Sequence, residues 1–183
     1  MIISTVKNID IKGKRNQDKL KLIENPEFIS ERSKLKKWDK KILDEYSSSN
    51  EQIKIIKKLY VDDEKFEHKE IFKKEINNKI NGYKKQDNDK ECFDVNYFVN
   101  YEYVIEKLLE SQLKCYYCKK CCLLLYTEVL CRDQWTLDRI DNDYGHNKNN
   151  IVISCLDCNI KRKTMNCERF KMGKQLKIIK KIE

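Results

Sequence analysis

Cys115-Tyr-Tyr-Cys118 opens, and Cys155-Leu-Asp-Cys158 closes, a stretch that contains Trp135-Thr-Leu-Asp138-Arg139-Ile-Asp141-Asn142-Asp-Tyr-Gly145-His146-Asn-Lys-Asn-Asn150-Ile-Val-Ile. The second pair runs straight into Asn159-Ile-Lys161-Arg162-Lys163. Two Cys-x-x-Cys knuckles supply the four soft ligands of a tetrahedral structural zinc, so Cys115, Cys118, Cys155 and Cys158 are its expected ligands. Between the knuckles, the alternation from Gln134 to Ile140 predicts a strand. Asp141 to Gly145 has the composition of a turn. Ile151 to Ser154 is β-branched and predicts a second strand, and Leu156 begins a predicted helix. This is a β-hairpin packed on a helix and clamped at its root by a metal.

The predicted fold class is therefore α+β: a mostly helical region over residues 1–110, then a zinc-stapled ββα module over 111–183. Residues 1–30, with Gly13 and the only proline, Pro26, predict irregular structure. From Ser33 onward, Leu35, Trp38, Ile42 and Tyr46 recur on one helical face. Ser47-Ser-Ser-Asn50 breaks that helix, and Asn50 is placed to cap the next one, whose stripe is Ile53, Ile56 and Tyr60. Phe66, Phe72, Ile76 and Ile80 mark a third helix, ended by Asn81-Gly82. A polar link from Lys84 to Lys90 follows, and Val104, Ile105, Leu108 and Leu109 mark a fourth helix that leads to Cys115. These helices read either as a target-recognition arm or as an amphipathic extension packed on the module or a partner.

The chain has 39 Lys and Arg against 30 Asp and Glu, a net charge of +9. Residues 111–183 hold 15 of the cations and 8 of the anions, so the module carries most of the excess. That favours a polyanionic partner such as DNA, although a lysine-rich composition alone is weak evidence. Residues 161–181 hold nine cations and only Glu168 in opposition. Phe170 and Leu176 are expected to pin this segment back on the module. Eight of the nine cysteines follow residue 110, and the N-terminus turns polar too early for a secretory signal. A reducing intracellular compartment is expected, where paired thiols read as metal ligands. No apolar run suggests a membrane span. Cys121 shares the Cys-x-x-Cys spacing through Cys118 and competes for the metal; Cys92, Cys122, Cys131 and Cys167 read as small buried hydrophobes.

The stretch from Cys115 to Lys163 resembles the HNH endonucleases, the zinc-stapled branch of the ββα-metal nucleases. The resemblance rests on the two Cys pairs, Asp138-Arg139 at the end of the first strand, Asn150-Ile-Val-Ile, and Cys158-Asn159. The longer string through Leu137-Asp-Arg-Ile-Asp141, with Ile80-Asn-Gly-Tyr83 upstream and Gln175-Leu176 downstream, is similar to a subgroup found in large DNA viruses and mobile elements. The resemblance implies a DNA endonuclease with structural zinc and catalytic Mg²⁺ or Mn²⁺, nicking as a monomer. It implies Asp138 and Asn159 as ligands of the catalytic ion, and Asn150 as the residue that orients a general base.

One position departs from the family. Its base is a histidine, and Arg139 stands there instead; arginine cannot accept a proton. Three readings remain open. His146, in the loop over the hairpin, takes over as base. Alternatively, metal-bound water loses its proton to solvent or phosphate while Arg139 clamps a phosphate. Or the module binds nucleic acid without cutting it. Lys161, Arg162 and Lys163 complete the expected phosphate-binding set.

Overall fold

The computed structural model describes residues 14–25 and 38–176. The chain divides into two compact units, residues 1–34 and 35–183, and the boundary expected at residue 110 falls inside the second. The first unit contributes helix α1 (Lys14–Glu24). The second contributes α2 (Lys40–Glu45), α3 (Ser49–Tyr60), α4 (Lys69–Asp89), α5 (Tyr101–Glu110), β1 (Trp135–Arg139), β2 (Ile151–Cys155), α6 (Leu156–Arg162) and α7 (Cys167–Gln175). The expectations placed on Gly13, Pro26, Ser33, Leu35, Lys177, Lys180 and Lys181 lie outside the described residues. The α+β class stands among the described residues, with seven helices and one antiparallel two-stranded sheet. No described helix is long and apolar enough to cross a membrane.

Local chemistry sets most boundaries. The Asp39 carboxylate accepts from the Lys41 amide and starts α2 there, after Trp38. Ser48, not Asn50, caps α3: its Oγ accepts from the Glu51 amide at 3.2 Å. Ser48 and Glu51 have the spacing of a capping box. The larger difference is α4. Asn81-Gly82 does not end it, and the expected polar link from Lys84 is largely its last two turns. Tyr83 and Asp87, beyond the glycine, are both buried against the module. Burial of the next two stripe positions outweighs the local cost of one helical glycine.

One apolar core joins the helices to the module. It runs from Ile42 and Ile55 through Phe72, Ile76 and Leu108 to Trp135, Leu137, Ile153 and Cys167. Gln52 of α3 is a polar stitch within it. Its Oε1 accepts from the amides of Leu124 and Leu125 at 2.8 and 3.1 Å, and its Nε2 donates to the Tyr46 carbonyl. Gln52→Leu keeps the volume but strands three buried backbone groups. At about 1–3 kcal/mol for each unsatisfied group, the loss is expected to reach about 3 kcal/mol in urea denaturation; a loss below about 1 kcal/mol contradicts the stitch.

The hairpin pairs Trp135 with Cys155, Leu137 with Ile153 and Arg139 with Ile151. The border of β1 facing away from β2 is covered by other parts of the chain. The Trp135 amide donates to the Leu123 carbonyl, and the Trp135 carbonyl accepts from Lys79. The Leu137 amide donates to the Tyr83 hydroxyl at 3.0 Å, and the Leu137 carbonyl accepts from Asn159. The Arg139 carbonyl accepts from Arg162. On β2, the Ile153 carbonyl accepts from the Tyr116 amide. Helix α7 packs through Phe170, whose ring lies 5.0 Å from that of Tyr117, and through Gln175, which donates to the carbonyls of Tyr116 and Tyr117. Leu176 does not share that task; it is 65% exposed.

Candidate functional site

The two knuckles converge as their spacing requires. The four Sγ atoms of Cys115, Cys118, Cys155 and Cys158 lie within 4.8 Å of one another. Cys155 also caps α6, its Sγ accepting from the Cys158 amide, so the same residue ends β2, starts the helix and faces the cluster. Four thiols this close cannot share protons evenly. Hydrogen bonds from Cys122 and Cys155 hold the Cys115 thiol far below its ordinary range. The same contact with Cys115 pushes Cys122 and Cys155 up, and burial pushes Cys158 up to about 12. A divalent cation relieves this competition by stabilising all the thiolates at once. The cluster fits one metal ion. Cys121 is exposed and outside it; Cys122 is a further buried cysteine, in contact with Cys115.

Asp138 and Asn159 reach the same region, from β1 and α6. Asp138 is nevertheless taken. Arg162, one helical turn after Asn159, forms a fork onto it: Nε to Oδ2 at 2.8 Å and Nη2 to Oδ1 at 3.0 Å. Tyr117, kept a phenol by burial, donates to Oδ2 at 2.7 Å. Arg162 is 1% exposed and also bonds the carbonyls of Arg139 and Met165. It is not part of an exposed basic run, because the turn of α6 that points Asn159 at the hairpin points Arg162 there too. Asn159 donates its amide to Thr136 Oγ1 at 3.1 Å and to the Leu137 carbonyl at 3.2 Å. In this arrangement the Arg162 guanidinium supplies the positive charge beside Asp138, and the Asn159 amide nitrogen is turned to β1. Lys161 and Lys163 stay exposed, although Lys161 pairs with Asp157 at 2.7 Å.

The loop from Asp141 to Asn150 is held from within. Asn150 Oδ1 accepts from the Asp141 amide, and its Nδ2 donates to the carbonyls of Asp141 and Gly145. Its observed work is loop closure. Arg139 is buried too, and its Nη1 donates to the carbonyls of Asn142 and Tyr144. In this structure it clamps the loop. His146 does not project from that loop. Its Nδ1 lies 2.7 Å from Asp87 Oδ1, its amide donates to Asp87 Oδ2 at 2.6 Å, and its ring lies 4.5 Å from that of Tyr83. Gly145 permits this approach: a Cβ there would stand 2.8 Å from Asp87 Oδ2 and closer still to the Cys92 carbonyl.

Burial lowers the His146 pKa from its ordinary 6.5; Asp87 opposes that, while Arg139 and Lys90 reinforce it. The unfolded chain therefore takes up a proton near pH 6.5 that the folded chain resists. This contribution to stability is present above pH 6.5 and is lost as pH falls through the folded pKa. The melting temperature of the wild type is expected to fall more steeply between pH 7 and pH 5 than that of His146→Gln; parallel curves refute the assignment.

Asp87 and Tyr83 are the contributors that sequence reasoning missed. Both continue the stripe of Ile76 and Ile80 at helical spacing, which was the available signal. No protein-family model, curated protein or solved structure gives a significant match to this chain.

Proposed function

We propose that this chain is an HNH-type protein that acts on DNA, with zinc in its four-cysteine cluster and endonucleolytic hydrolysis of phosphodiesters as its activity. The observation that supports this reading is the meeting of Asp138, Asn159 and Arg162 on one face of a metal-stapled hairpin and helix. In the described geometry Arg162 holds Asp138. A guanidinium forks onto phosphate as readily as onto carboxylate. An arriving DNA phosphate thus offers Arg162 an alternative anion, and its departure exposes the Asp138 oxygens. Catalytic magnesium or manganese, if bound, supplies a Lewis acid for the scissile phosphate. Lys163, Arg169 and Lys174, all exposed on or next to α6 and α7, hold the flanking phosphates.

A second reading is DNA binding without cleavage. It is favoured by the Asp138–Arg162 pair itself and by the two candidate base positions, since Arg139 cannot accept a proton and His146 is buried. Supercoiled plasmid incubated with full-length protein and Mg²⁺ or Mn²⁺, against EDTA, separates the two. Metal-dependent nicked circles establish the nuclease. Intact plasmid together with salt-dependent retardation establishes the binder, and neither result abandons both.

A further inference from the structure

Helix α4 carries a glycine near its middle where packing asks for none. A Cβ built on Gly82 meets no atom within 4 Å. Glycine is the least favourable helix residue after proline, and the helix runs on regardless for another two turns. Asn78, Gly82 and Gln86 follow one another at four-residue steps and are all exposed, so they form a single stripe. That stripe is one wall of an open cleft of about 480 Å³ between α4, β1 and α6. Thr136 and Asn159 line the opposite side. Any larger residue at position 82 would project into this space.

The cleft's polar lining includes the carboxamides of Asn78, Gln86, Gln134 and Asn159 together with Glu75 and Lys79. Asn78 and Gln86 each carry a donor and an acceptor side by side, the arrangement that matches the hydrogen-bonding edge of a nucleobase. Asn159 is already oriented: its amide donates to Thr136 and the Leu137 carbonyl. Its Oδ1, with no partner among the described residues, is left as an acceptor for a ligand. The volume lies within the roughly 300–1,000 Å³ of small-molecule sites. Asn159 is shared with the candidate site, so a ligand here lies beside the position of Asp138 and Arg162.

We infer that this cleft takes one nucleobase of the bound nucleic acid, read by Asn78, Gln86 and Asn159, and that Gly82 keeps it open. The inference rests on the reading of the chain as a DNA-acting protein and names the part of the substrate that this wall recognises. It also gives a role to the Asn81-Gly82 pair that does not end the helix.

The test uses full-length protein, 12-nucleotide DNA strands in single- and double-stranded form, the same strands with one abasic site moved along them, and free deoxynucleoside monophosphates. Wild type is expected to bind about tenfold more weakly when one particular base is missing. Gly82→Gln should bind intact DNA about tenfold more weakly, be indifferent to the abasic site, and melt no lower than wild type. Asn78→Ala combined with Gln86→Ala, which empties the cleft instead of filling it, should show the same indifference. Wild-type affinity in both variants, or a loss that persists equally on abasic DNA, overturns the cleft. If wild type binds no strand, the DNA reading fails separately. In that case, binding of a free nucleotide that Gly82→Gln abolishes still upholds a nucleobase site, and no such binding overturns it.

Discussion

Replacing Cys155 with serine is expected to unfold the hairpin and α6 together, a larger effect than any other single substitution in this chain. Cys155 closes β2, caps α6 and contributes one of four sulfurs that lie within 4.8 Å of one another. Apparent binding free energies of structural zinc in small finger domains are roughly 10–16 kcal/mol at neutral pH, comparable to the whole stability of a domain. Two strands of five residues are marginal alone and depend on the cluster together with the helices packed on them. On the reading of the cluster as a zinc site, removing the metal with a chelator should give the same result. The check is the near-ultraviolet signal of Trp135, buried at the root of the hairpin, during titration with the chelator. The signal should collapse cooperatively and return with added zinc. A hairpin that keeps that signal after verified zinc loss refutes the structural role of the cluster.

Asp138→Ala is expected to cost about 3–5 kcal/mol of stability, the range for a buried pair that loses one partner, and, on the nuclease reading, to remove cleavage. The variant strands a guanidinium that is 1% exposed and deprives Tyr117 of its acceptor. Loss of activity in this variant alone therefore says little about catalysis. Adding Arg162→Met should restore most of the stability, because replacing both members of a buried pair with apolar groups is often neutral. Plasmid nicking should remain absent in that double variant. Restored stability with absent cleavage assigns the Asp138–Arg162 pair, and not the fold it supports, to the activity; restored cleavage removes both residues from it. Full stability in Asp138→Ala alone refutes the ion pair.

The module was more legible than its surroundings. Period-two alternation, the turn composition and the paired cysteines are local signals, and β1, β2, α6 and the cluster follow from them. The assignment of individual side chains was harder, because it depends on partners far along the chain. Arg162 sits in a run of cations and reads as exposed, yet Asn159 and Arg162 are three residues apart and share a helical face. Asp87 lies 59 positions from His146, and no local pattern links them. Asn150 and Arg139 were expected to face a base and a phosphate, but their hydrogen bonds go to loop carbonyls. The end of α4 was misplaced because Asn-Gly is a strong local stop, whereas the burial of Tyr83 and Asp87 is a tertiary effect.

The covered border of β1 bears on how many strands of a duplex one encounter can break. A bare ribbon edge invites a second copy to extend the sheet. Here Leu123, Lys79, Tyr83, Asn159 and Arg162 already take up the hydrogen bonds such a copy would need. Pairing of two chains through this border is closed, so it cannot set two hairpins side by side across both backbones. On the nuclease reading, a second cut on the opposite strand falls to a later visit or to molecules joined through their helices, and products should pass through a nicked circle before any linear form appears.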